Sequence, residues 1–445
     1  MPGTRGHRGC VGPECKPGQG SAHPSLKTIP EGAFVLARTL AIVVGLFAAA
    51  ATQADPPAPV AADLVAANRH EFRYTNDTLS GPGAAFLREA TAHSQFVLLG
   101  EDHMDHATPV FAGALFRMLH ADHGFRYLVV EQDPLAIEDA LEPPARGNVE
   151  AIARIARRWT SLYEFDSDED LALLAAVGAL EPAGPAIWGV EQTTGASRTL
   201  SELVDLAPDS QAREAAASLL ATVERLDPGP AYTLNWLGGP NAEAQIAALA
   251  AIYRAPPGSR AARLLQSLAT SAEIFGYYRR ASAGEYVGLY NNTVREAVMK
   301  SNFLEQYRRA ATGGTLPKAM FKFGGNHLYH GKNPTQAFPI GNLAHELAIA
   351  NGAEAYGLYV ISLGPGYRSY ADYPAWMRPL LPADEPRAPT LVDLRALRRY
   401  QRVMRDGVAP EQAWELMALL HGYDALVILP GSRPATRSVG GRAGY

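Results

Sequence analysis

The stretch FVLLGEDHMDHATPVFAGALF, residues 96–116, runs four apolar residues straight into Glu101, Asp102, His103, Asp105 and His106. A second apolar run, KAMFKFGGNH, ends in Gly324-Gly325-Asn326-His327, so the chain holds two G-x-x-H elements about 220 residues apart. Two further apolar runs, YLVVEQD and PAIWGVEQ, end in Glu131 and Glu191. Histidines beside carboxylates support two chemistries. Glu101, His103 and His327 form a mixed nitrogen and oxygen set of the kind that binds Zn²⁺, Mn²⁺ or Fe²⁺. The same residues could work without a metal, one histidine acting as general base on a water while a carboxylate orients it. Residue types alone leave both open.

These side chains need rigid elements to bring them together. SQFVLLG, FRYLVVEQD, PAIWGVEQ, KAMFKFGGNH, AYGLYVISLGPG and DALVILPG are short apolar runs, as expected of strands buried on both faces. Between them lie segments with helical spacing, such as ATPVFAGALFRMLHADHG with Gly124 as a stop, and DEDLALLAAVGAL with Asp166 or Ser167 as a cap. Alternating strands and helices predict an α/β fold with a mostly parallel sheet flanked by helices. Ligands in such sheets bind beyond the carboxyl ends of the strands, which is where the Glu and His residues fall. Residues 199–311 lack strand signals and predict a helical insert forming a cap over the cleft. Within it, Arg295, Met299 and Asn302 share one helix face, so Arg295 is placed to pair with Glu101, Glu131 or Glu191, or to hold a substrate carboxylate or an oxyanion.

Plainer roles exist for the same residues. Acidic side chains after a strand often start the next helix, and Asp105 or Thr108 can cap it. His120 and His123 suit a helix C-terminus, and Asp166, Asp168, Glu169 and Asp170 read as an acidic helix start. Glu131, Glu191 and Arg295 could be structural ion pairs. Tyr367, Tyr370 and Tyr373 in GPGYRSYADYP could wall a pocket or ligate haem iron, and otherwise pack a loop.

Several function classes are excluded. There is no G-x-S-x-G, H-E-x-x-H, P-loop or G-x-G-x-x-G pattern. The net charge of −5 and the absence of a basic cluster argue against nucleic acid. Residues 33–54 read as a signal peptide: Arg38, an apolar run too short for a comfortable membrane span, then small residues to Ala54. Residues 1–32 read as a disordered or misassigned extension, and they hold both cysteines, Cys10 and Cys15. The mature chain is therefore expected to be exported, periplasmic or secreted, without cysteine chemistry or a stable membrane span. Without its first 54 residues, which hold five Lys/Arg and two Asp/Glu, the net charge is −8. The α/β core is expected over 55–198 and 312–430, with a mobile tail at 431–445.

LLGEDH, VVEQD, VREAVMKSN and FGGNH, in that order over residues 96–327, resemble the superfamily joining erythromycin esterases, the ChaN haem-uptake proteins and the Tiki/TraB proteins. The two-residue G-x-x-H spacing is more like ChaN and Tiki, and the long helical middle more like the esterases. The resemblance implies a site lined by Glu101, His103, Arg295 and His327 with Glu131 beside them. It implies an exported hydrolase acting on an ester or amide in a small molecule or peptide, with a divalent metal as a possible cofactor. The alternative is a periplasmic haem- or metal-binding protein without catalysis. Substrate and oligomeric state are not legible.

Overall fold

The computed structural model describes residues 60–437, apart from 143–144, 160–161, 163–164, 182–183, 227–233 and 285–289. The expected extension at 1–32 and signal peptide at 33–54 lie outside the described residues. Ten strands are formed: β1 (Arg69–Glu71), β2 (Arg73–Tyr74), β3 (Leu79–Ser80), β4 (Ser94–Glu101), β5 (Tyr127–Val130), β6 (Ile187–Gly189), β7 (Ala319–Gly324), β8 (Glu354–Ser362), β9 (Thr390–Asp393) and β10 (Ala425–Leu429). Eight make one sheet in the order β1-β9-β10-β8-β4-β7-β5-β6, and β2 and β3 pair separately. Every pairing from β10 to β6 is parallel, while β9 runs antiparallel to both β10 and β1. The six expected strands are all present in a mostly parallel sheet flanked by helices.

β4 sits at the centre because all eight of its residues are buried. Its side chains nonetheless alternate between two cores. Val97 and Leu99 pack with Phe111, Leu115 and Leu119 on one face, and Phe96 and Leu98 pack with Phe303 and Phe321 on the other. The helix Ala107–His123 follows and stops at Gly124, which takes the left-handed φ of 71° that glycine adopts without steric cost. β1 and β9 were not legible: RHE has no apolar signature, and TLVD is four residues behind a proline-rich stretch. A short, charged β1 is also a poor template for further pairing at that edge.

Among the described residues, the only regular elements between 196 and 311 are helices. Four of them, Ala196–Asp205, Ser210–Leu226, Ala242–Tyr253 and Arg260–Ser282, share an apolar cluster of their own, including Leu200, Leu203, Val223, Ile246, Leu264 and Leu268. The last, Tyr290–Ala310, behaves differently: Met299, Phe303 and Tyr307 join the sheet-side cluster. Its sequence placed it in the insert, but its apolar face belongs to the core. Leu135 from the helix after β5 joins the four-helix cluster, and ions add to the junction, with Arg198 donating to Asp133 at 3.1 Å and to Asp139 at 2.5 Å, and Arg260 to Asp139 at 2.7 Å. Among the described residues no helix is long and apolar enough to cross a membrane.

The tail expected to be mobile from residue 431 is tied down over its described part. Ala435 N donates to Met104 O at 2.8 Å, His106 N to Arg433 O at 3.0 Å, and Arg437 to Asp166 at 2.8 Å. Residues 438–445 lie outside the described residues.

Candidate active site

The in-register pairing of Glu101 with Gly324 makes the ends of β4 and β7 level, so both G-x-x-H elements open at the same height. β5 and β6 end beside them and deliver Glu131 and Glu191. The helix Tyr290–Ala310 lies across these ends, where Asn302 donates to Val190 O at 2.9 Å and Gln306 to Gly189 O at 2.7 Å. Those contacts pin the helix, and Arg295, two turns earlier, reaches the carboxylates.

The glycines matter for space more than for turning. A Cβ on Gly324 would lie 2.7 Å from His103 Nε2, and one on Gly325 would lie 2.6 Å from the Tyr359 ring. Gly324 itself has an ordinary φ of −53°. The strained residue is Met104, at a φ of 74°, directly after His103.

Glu101, His103, Glu131, Arg295 and His327 converge. His103 Nδ1 faces Glu101 Oε1 at 3.1 Å, and its Nε2 lies 3.5 Å from Glu131 Oε2. Glu131 Oε1 lies 3.2 Å from His327 Nε2 and accepts from Arg295 Nη2 at 2.6 Å, while Gly324 N donates to Glu131 Oε2 at 2.8 Å. Glu131 thus bridges the two histidines. Arg295 also donates to Glu191 through Nε at 2.8 Å, so the arginine closes an ion pair with two buried glutamates. Of the two roles expected for Arg295, carboxylate pairing is the one the geometry displays.

Three partners escaped the sequence reading. Glu296 accepts from His327 Nδ1 at 2.5 Å and from Ile340 N at 2.8 Å. Lys322 Nζ donates to Glu101 Oε1 at 2.6 Å and lies 2.9 Å from Asp170 Oδ1. Arg368 donates to Asp102 Oδ2 at 2.5 Å, with the Tyr373 hydroxyl on the same oxygen at 3.2 Å. The adjacency of Glu296 to Arg295 was the one usable signal. Nothing in FKFG singles out Lys322.

Burial and charge set the protonation states. Burial disfavours a charged His327, but Glu131 and Glu296 outweigh burial and raise it to about 10, so it is an imidazolium at neutral pH. Glu131 is driven up by burial and down by His327 and Arg295, and settles well below the usual carboxylate range. Glu101 is likewise lowered, with Lys322 and His103 overcoming burial. Asp102 and Asp105 go the other way because burial dominates.

Other polar residues near these elements have partners of their own. Asp105 accepts from Thr108 N at 2.7 Å, capping the following helix, and from Ser362 Oγ at 2.9 Å. His106 contacts Glu169 at 2.5 Å, His120 contacts Glu181 at 3.2 Å, and His330 stacks on His345 at 4.3 Å. Ser167 rather than Asp166 caps the acidic helix.

A metal fits this donor set poorly. Glu101 is held by Lys322, Glu131 by Arg295 and His327, and both His327 nitrogens face carboxylates, so the three candidate ligands do not share an open point. Among the described residues no group of three or more His, Cys, Asp and Glu is arranged to hold a metal ion.

No protein-family model matches the chain, and no curated protein matches it significantly. Solved structures do. A histidine-to-asparagine mutant of the erythromycin esterase EreC in its open conformation superposes with a TM-score of 0.54 at 15% identity, over 82% of this chain and 98% of that one. A protein from Bacillus cereus gives 0.51 at 14% identity, over 85% and 98%. A succinoglycan biosynthesis protein gives 0.50 at 13% identity, over 85% and 98%. The chain has the erythromycin esterase fold.

Proposed function

We propose that the protein is an exported hydrolase that adds water to an ester or amide at the His103–Glu131–His327 centre, without a metal. The observation that carries this reading is Glu131 lying between the two histidines, 3.5 Å from His103 Nε2 and 3.2 Å from His327 Nε2. His103 Nδ1 lies 3.1 Å from Glu101 Oε1, and this reading assigns the ring proton to that side and the role of base to Nε2. A water held on Nε2 loses a proton to His103 as its oxygen attacks the carbonyl carbon. The tetrahedral oxyanion is stabilised by the imidazolium N–H of His327, turned from Glu131. His103 then returns its proton to the departing alkoxide or amine, and the acid and alcohol or amine are released. Arg295 keeps Glu131 ionised and fixed between the rings. The reading also accounts for the buried carboxylates, which would be costly without partners.

The test is hydrolysis of p-nitrophenyl acetate, followed by a panel of lactones and peptides. The wild type is expected to turn over the ester, with kcat falling on the order of 100-fold or more in His103→Gln. A folded wild type that hydrolyses none of these would sink the proposal. Dialysis against EDTA is expected to leave the rate unchanged, and a loss restored by Zn²⁺, Mn²⁺ or Fe²⁺ would point to a metal centre.

A further inference from the structure

Beside the two-histidine centre, the described residues line a cavity of about 430 Å³ between the helices Arg260–Ser282 and Tyr290–Ala310, over Glu191 and Gln192 just beyond β6. That volume lies within the ~300–1,000 Å³ of small-molecule sites. Its charged lining is paired off: Glu191 holds Arg295, Glu138 holds Arg263 at 3.2 Å, and Arg309 pairs with Glu305 on its own helix. What remains is neutral and polar. Gln192, Gln266, Ser267, Thr270, Asn302 and Gln306 line the walls, with apolar surface from Pro134, Leu135 and Val298.

Two observations give this lining a use. Asn302 Nδ2 donates to Val190 O at 2.9 Å and Gln306 Nε2 to Gly189 O at 2.7 Å, which fixes both amides and leaves Asn302 Oδ1 and Gln306 Oε1 without partners among the described residues. Glu191 adds only acceptors, and the serine and threonine hydroxyls can take either part. The second observation is Gln192. It is 5% exposed, and its Oε1 is buried without a hydrogen-bond partner among the described residues. A buried orphan of this kind costs stability, and an apolar side chain in its place is often neutral or stabilising. Packing therefore gives no reason for a glutamine there, whereas a ligand that completes its hydrogen bonds does. The amide can turn about its last torsion, which is broad and roughly two-fold, to present either polar atom.

Such a lining selects among ligand classes. A phosphate or carboxylate brings acceptors to walls that already hold them. A cation gains little where each carboxylate is paired with an arginine. A compound with several hydroxyl groups and no charge suits both parts of the lining: its O–H groups donate to the amide oxygens, and its C–H faces rest on Pro134, Leu135 and Val298. We propose that this cavity binds an uncharged saccharide, with Gln192, Asn302 and Gln306 taking its hydroxyls. Binding there requires no turnover, so it stands or falls apart from the hydrolase reading above.

The experiment is titration calorimetry of the full chain with maltose, cellobiose, lactose and trehalose, and with gluconate as a charged comparator. At least one disaccharide is expected to bind at a single site, and gluconate at least about tenfold more weakly, because a buried carboxylate would lack a partner. Ser267→Trp, which fills the cavity, is expected to abolish that binding. Gln192→Leu is expected to weaken it about tenfold while leaving the thermal midpoint unchanged or higher, since an unpaired buried group is removed. That second variant carries the test should Ser267→Trp not fold. A glutamine kept for packing would instead lower the midpoint and leave the affinity alone. No binding of any of the sugars, gluconate bound as tightly as they are, or full affinity in the folded variants overturns the proposal.

Discussion

His327 is the residue whose state most constrains the chemistry. Its pKa, about 10 when folded, lies above the ordinary histidine value of 6.5. A group raised in this way adds stability that is fully present below its unfolded pKa and is lost as pH climbs through the folded one. Stability is therefore expected to decline between about pH 6.5 and 10, and His327→Gln to flatten that decline; denaturant melts across the range would check it. If the imidazolium also stabilises the oxyanion, the alkaline limb of the rate profile belongs near 10 and disappears in the same variant. Gly324 gives a second prediction at this scale. A methyl group there would occupy space 2.7 Å from His103 Nε2, so Gly324→Ala is expected to cost at least tenfold in kcat, read on p-nitrophenyl acetate. Much of the site was legible residue by residue, because Glu101, His103, Glu131, Arg295 and His327 stand at strand ends or on an identifiable helix face. Lys322, Glu296 and Asp170 were not. A lysine in FKFG looks like ordinary alternation, Asp170 looks like any acidic helix start, and what makes them special is partners far away in sequence.

The helix Tyr290–Ala310 is the element on which the arrangement turns. One face inserts Met299, Phe303 and Tyr307 into the sheet-side core; Asn302 and Gln306 occupy the carbonyls of Val190 and Gly189; Arg295 and Glu296 point at the two-histidine centre. Its sequence gave away Arg295, Met299 and Asn302 as neighbours, but not that its apolar stripe belongs to the sheet, since a buried stripe says nothing about which core receives it. Gln306→Ala is expected to cost about 1 kcal/mol, the worth of a hydrogen bond whose loss leaves a buried carbonyl unpaired, measurable as a shift in the urea midpoint. Because Arg295 lies three turns away on the same helix, the variant is also expected to raise exchange of the β6 amides before those of β4.

For the molecule as a whole, the fold class followed from the alternation of strands and helices, and the six parallel strands from their apolar runs. The antiparallel edge was hidden in short, polar or proline-flanked sequence. The C-terminal segment was hidden for another reason: residues 431–437 have the composition of a loose end, and contacts with residues far away in the chain, among them Met104, His106, Asp166, Glu169 and Leu363, make them part of the structure. Those contacts brace the strained loop that carries His103. Truncation after residue 430 is expected to preserve the far-ultraviolet dichroism while lowering kcat on p-nitrophenyl acetate by tenfold or more; an unchanged rate would show that the loop holds without its brace.

The four-helix bundle has its own apolar interior and meets the helix Pro134–Ala140 through arginine–carboxylate contacts and Leu135. Two regions joined this way keep separate histories. A substitution among Leu200, Leu203 or Leu264 is absorbed by neighbours inside the bundle and leaves the packing around β4 as it was. The bundle's interior can therefore vary while the contacts of Arg198 and Arg260 with Asp133 and Asp139 stay fixed.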